Sequence, residues 1–74
     1  MEIEYMIRDE DGEYVGITVD FDILSLSIGT ESDIDLKDCI DTVAEMLSFH
    51  VDSFYLEDRD TIAIDFYNYL KNKK

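Results

Sequence analysis

The chain has 74 residues, nineteen of them Asp or Glu against six Lys or Arg, and a formal charge of −13 at neutral pH. That charge excludes free nucleic acid and anionic membrane as direct partners, because both are repelled at long range, and directs attention to a basic protein. With 46% hydrophobic residues, 12% aromatic residues and no Pro, the composition also excludes a disordered tail.

Residues 2–8 alternate, Ile3, Tyr5 and Ile7 against Glu2, Glu4 and Arg8. A second alternation sets Val15, Ile17, Val19 and Phe21 against Tyr14, Gly16, Thr18 and Asp20. Both patterns predict half-buried strands. Between them Asp9-Glu10-Asp11-Gly12 ends in Asp-Gly, which offers the positive φ that a tight hairpin needs. Leu24, Leu26 and Ile28, alternating with Ser25 and Ser27, predict a third antiparallel strand. From Leu36 the period lengthens: Leu36, Ile40, Val43, Leu47, His50 or Val51, and Phe54 trace one side of a helix of four to five turns. Asp35 is its N-cap and Asp38 favours its positive start. Glu57-Asp58-Arg59-Asp60 is read as its end. Thr61 to Phe66 alternates as a fourth strand, the reading adopted, while Ile62, Phe66, Tyr69 and Leu70 also fit one side of a helix begun at Asp60. The tail 71–74 is expected to fray. The predicted fold is α+β, a three- to four-stranded antiparallel sheet packed on one long α-helix in the order β-β-β-α-β.

Length allows a single domain over residues 1–74. A domain of this size buries only ~60% of the surface of its unfolded chain, so a homodimer, through a sheet edge or the exposed sheet face, is expected. The single cysteine, Cys39, excludes a disulfide framework and suits the cytoplasm. The start, MEIEYMIRDEDG, lacks the apolar core of a signal peptide, and no stretch reaches the ~20 apolar residues of a membrane span.

The hairpin and helix carry a family resemblance. Asp9-Glu-Asp-Gly-Glu-Tyr-Val15 and Asp35-Leu-Lys-Asp-Cys-Ile-Asp-Thr-Val-Ala-Glu-Met-Leu47 resemble the turn, second strand and helix of the HicB-like antitoxin domain, with Leu36, Ile40, Val43, Glu45 and Leu47 in register. About two thirds of the chain is covered. The resemblance implies the toxin-neutralising part of such an antitoxin, without its operator-binding part.

Few residues are placed for catalysis. Cys39 and His50 lie eleven positions apart, ~16 Å along one straight helix, too far for a Cys-His pair. No glycine loop cradles phosphate, Gly12, Gly16 and Gly29 being isolated. The chain is therefore expected not to be an enzyme and to need no cofactor. Asp9, Asp11 and Glu13, or Asp20 and Asp22, offer carboxylates to a hard cation, but Gly12 falls too early for a calcium loop, so no metal is expected.

The carboxylates themselves form the candidate site. Asp38, Asp41, Glu45 and Asp52 recur at helical spacing opposite the apolar stripe. Neighbours in such a row stand ~5–6 Å apart, close to the phosphate spacing of a nucleic-acid strand. Only Lys37 accompanies them, where a helix built for stability alone would mix signs. Asp9, Glu10, Asp11, Asp20 and Asp22 are the secondary candidates. The function expected is an acidic inhibitor that binds and blocks a basic, nucleic-acid-handling protein, similar to a HicB-like antitoxin on an RNA-cleaving toxin. A phage-type nucleic-acid mimic acting on a defence nuclease, as anti-CRISPR and anti-restriction proteins do, is the alternative. A structural domain whose acidity serves only solubility is the second.

Overall fold

The structure, a computed structural model, describes residues 2–29 and 34–72. Five elements follow in chain order: β1 (Glu2–Arg8), β2 (Tyr14–Asp20), α1 (Phe21–Ile28), α2 (Leu36–Ser48) and α3 (Leu56–Asn72). The fold is α+β as expected, but it carries a two-stranded antiparallel sheet and three helices rather than three or four strands on one helix. No described helix is long and apolar enough to cross a membrane.

The hairpin forms where the alternation and the Asp-Gly pair place it. The register runs from Glu2 opposite Asp20 to Arg8 opposite Tyr14, so Ile3, Tyr5, Ile7, Val15, Ile17 and Val19 share the inward side. Its loop is a three-residue connection. The Gly12 N–H donates to the Asp9 carbonyl at 3.0 Å and the Asp9 N–H to the Glu13 carbonyl at 2.9 Å. Within the loop only Gly12 takes positive φ, 81°, so the connection is a tight turn followed by a left-handed glycine rather than a two-residue turn.

The predicted third strand is instead α1. Asp20 explains the switch: its carboxylate accepts from the N–H groups of Asp22 and Ile23 at 2.9 and 3.3 Å, which caps a helix at the residue where β2 ends. Phe21 and Leu24 then fall on one buried side, while Leu26, 80% exposed, does not. Gly29 ends the helix with φ 87°.

Helix α2 begins as predicted. The Asp38 N–H donates to the Asp35 carboxylate at 2.9 Å and the Asp35 N–H to Asp38 at 3.4 Å, a reciprocal cap. It stops at Ser48, short of the predicted Phe54, where the Ser48 hydroxyl donates to the Glu45 carbonyl at 2.6 Å. Cys39, Val43 and Leu47 are fully buried, whereas Leu36 is 37% exposed and Ile40 half-buried. The stripe is thus centred one helical step away from the Leu36–Ile40 line.

The predicted fourth strand is the middle of α3, and Glu57-Asp58-Arg59-Asp60 opens that helix rather than ending the previous one. Glu57 and Asp58 sit in its first turn and Lys71 in its last, both favourable to the helix dipole. Helical spacing buries Ile62, Ala63 and Phe66 together. These pack with Cys39, Val43 and Leu47 of α2 and with Ile7, Ile17, Val19 and Phe21 into one core. Phe21 links the layers, its ring centroid 5.3 Å from Phe66, 5.5 Å from Tyr69 and 6.5 Å from Tyr5. The tail expected to fray continues the helix through Asn72, and residues 73–74 lie outside the described residues.

Candidate functional site

The carboxylates proposed as the site fall into two kinds once the chain is folded. Several are engaged in holding local structure. The Asp9 carboxylate accepts from the N–H groups of Asp11 and Glu13 at 2.9 and 3.0 Å and shapes the hairpin loop. Asp20 caps α1, and Asp22 accepts the Tyr69 hydroxyl. Asp38 closes the cap of α2. These four were expected to face a partner, and each also holds a backbone N–H or another side chain.

The others project without a hydrogen bond or ion pair among the described residues. Asp41 and Glu45 stand exposed on the outward side of α2, one turn apart. Asp52 was expected to extend that row, but α2 has already ended at Ser48, so it leaves the row altogether. It meets the hairpin loop instead, where Asp9, Glu10, Asp11, His50 and Asp52 line one groove about 370 Å³ in volume. Phe49, 82% exposed, stands at the same groove. The single predicted row thus becomes two acidic areas: Asp38, Asp41 and Glu45 on α2, and Glu10, Asp11 and Asp52 around the loop. The part of Phe49 and His50 was not foreseen. Both had been placed on a helix that the chain has left by that point.

Where the positive charges go matters as much. The Arg8 guanidinium donates from Nε and Nη2 to the Asp58 carboxylate at 3.3 and 3.2 Å, and the Arg8 backbone N–H donates to it at 2.9 Å. The same guanidinium lies 4.2 Å from the Tyr55 ring centroid and 3.9 Å from Glu57. Burial disfavours the Asp58 charge, but the bonds and charge of Arg8 outweigh it and hold the carboxyl below its ordinary value. Arg8 is raised in turn, first by its bond to Asp58. Arg59 donates to its neighbour Asp60 at 3.0 and 2.8 Å. Both arginines are therefore occupied within the chain. The Arg59–Asp60 adjacency is visible in the sequence, but nothing local signals a bond between residues 8 and 58.

Two further groups carry perturbed acidities. Burial, the Asp65 hydrogen bond at 2.7 Å and the Asp65 charge raise the Tyr5 phenol. Burial, with the charges of Asp38 and Asp35, pushes the Cys39 thiol up to about 11, so it remains a neutral thiol at neutral pH. Cys39 sits in the core, whereas His50 is exposed. No group of three or more His, Cys, Asp or Glu among the described residues is arranged to hold a metal ion. Compared with family models, with curated proteins and with solved structures, the chain matches none.

Proposed function

We propose that this protein binds a basic, nucleic-acid-handling protein and blocks it by presenting carboxylates where that protein expects phosphates. The observation that carries the reading is the disposition of charge. Arg8 and Arg59 are closed into Asp58 and Asp60, leaving the carboxylates of Asp41, Glu45, Glu10, Asp11 and Asp52 without an ion pair among the described residues. A cationic groove would supply it, and the attraction would speed encounter and weaken with salt.

The antitoxin version rests on the hairpin and α2, the segments that carry the resemblance to the HicB-like domain. The strands that a β-β-β-α-β arrangement requires at residues 24–28 and 61–66 are helical. The nucleic-acid mimic rests on the spacing of Asp38, Asp41 and Glu45 along α2, ~5–6 Å between neighbours. Both versions use the same carboxylates.

Immobilised protein, exposed to lysate at low and at high salt, identifies the partner; nuclease assays on the captured protein then compare wild type with two variants. Asp41→Lys with Glu45→Lys reverses the α2 area, and Glu10→Lys, Asp11→Lys with Asp52→Lys reverses the loop area. Wild type should inhibit, and at least one variant should lose inhibition while keeping its circular dichroism. Equal inhibition by all three, or capture indifferent to salt, would remove the electrostatic account.

A further inference from the structure

The two outer edges of the hairpin differ sharply. In an antiparallel pair, residues alternate between exchanging both backbone bonds with the opposite strand and turning both outward. The Asp9–Glu13 bond sets the phase, so Ile7 with Val15, Tyr5 with Ile17 and Ile3 with Val19 bond inward. The even-numbered residues face out, and the Arg8 N–H does so in fact, since it reaches Asp58 of α3. The outer edge of β1 therefore carries Glu2 and Glu4 and is tied down at Arg8. The outer edge of β2 presents the N–H and C=O of Tyr14, Gly16 and Thr18. No charge lies between Tyr14 and Val19, and no described residue outside the ladder bonds to those groups.

We propose that β2 pairs with β2 of a second copy of this chain, antiparallel about a two-fold axis at Gly16, joining two hairpins into one four-stranded sheet. The occupant is a second copy because the edge is self-complementary and neutral. A cationic partner has nothing to grip there, whereas Tyr14, Gly16 and Thr18 meet the partner's Thr18, the partner's Gly16 and the partner's Tyr14, each giving one N–H and taking one at its C=O. Gly16 carries no side chain on the outward side, where the Met6 sulphur is its nearest neighbour, and Tyr14, 67% exposed, lies diagonally to the partner's Gly16. Across the axis, Thr18 lines a groove with Asp20, Ile23, Met46 and His50, in which Ile23, 64% exposed, gives the partner's Tyr14 an apolar neighbour. An open neutral strand edge is what pairing of this kind requires, and a two-stranded sheet gains most from it.

The pairing has a salt dependence of definite sign. It brings the acidic loop Glu10–Glu13 of one copy alongside Asp20 of the partner subunit, so like charges oppose it and screening promotes it. Capture of a basic protein has the opposite sign, so either can fail without the other.

The test is sedimentation of the intact protein between about 0.05 and about 0.5 M NaCl, over which the Debye length shortens more than twofold, with amide exchange read residue by residue. The mass should rise from 8.6 kDa toward about twice that value as salt rises, as expected for two-fold pairing. The amides of Tyr14, Gly16 and Thr18 should become protected in step, and those of Glu4 and Met6 should not. Gly16→Pro deletes one outward N–H and no bond of the hairpin, and a Cβ there meets only the Met6 sulphur at 3.5 Å; it should stay monomeric at every salt with an unchanged spectrum. If that variant does not fold, the wild-type exchange pattern decides. A single 8.6 kDa species throughout, or a dimer whose Tyr14, Gly16 and Thr18 amides exchange freely, would overturn the proposal.

Discussion

The two sides of α2 obey different rules. Inward, Cys39, Val43 and Leu47 are fully buried against α3, and each earns its place by packing. Outward, no hydrogen bond or ion pair engages the Asp41 and Glu45 carboxylates among the described residues, and like charges one turn apart oppose the helix that carries them. One side explains why the protein folds. The other has no explanation inside the fold, which is why a partner is sought there.

The largest expected effect belongs to the inward side. Leu47→Ala should cost ~2–5 kcal/mol, enough to unfold much of a domain whose total stability is of order 5 kcal/mol. An unchanged melting temperature would show that α2 does not rest on this stripe. Next comes a carboxylate with a partner. Asp58→Ala strands Arg8 and its outward amide, at about 1–2 kcal/mol, toward the low end for charged hydrogen bonds because water still reaches the pair. Because Arg8 holds the folded Asp58 carboxyl below its ordinary value, near ~3.9, the contribution is complete above that value and disappears as pH falls through the lower folded one. Urea titrations of wild type and variant should therefore converge in acid; a constant gap would assign the loss to packing. The smallest effect is expected outward. Asp41→Lys with Glu45→Lys should shift stability by no more than about 0.5 kcal/mol, upward if at all. A clear loss would mean that these two carboxylates serve the fold after all.

How far the chain could be read in advance varied with the range of the forces involved. The hairpin was legible because alternation, Asp-Gly and cross-strand pairing agree within twenty residues. The start of α2 was legible because Asp35 and Asp38 cap it locally. Residues 24–28 and 61–66 misled because two or three alternating apolar residues suit both a strand and a short helix, and periodicity alone cannot separate them. Asp20 decided the first case through two backbone bonds. Burial of Ile62, Ala63 and Phe66 against α2 accompanies the second. For the site, Asp41, Glu45, Glu10 and Asp11 stay exposed as read, whereas Asp9, Asp20, Asp22 and Asp38 are engaged by local caps and by Tyr69. Asp52 changed neighbourhood because α2 ended early. The pairing of Arg8 with Asp58 is a contact across fifty residues, and only the fold reveals it.

The burial of Cys39 turns the lone thiol into a clock. With its side chain buried in the core and its acidity suppressed to about 11, an alkylating reagent can reach it only while the core is open. When closing outpaces the chemistry, the labelling rate divided by that of a free thiol measures the fraction of time the core stands open. When chemistry outpaces closing, the rate becomes that of opening itself. The chain thus carries a reporter of its own breathing, on the buried side of the helix whose exposed side is proposed to meet a partner.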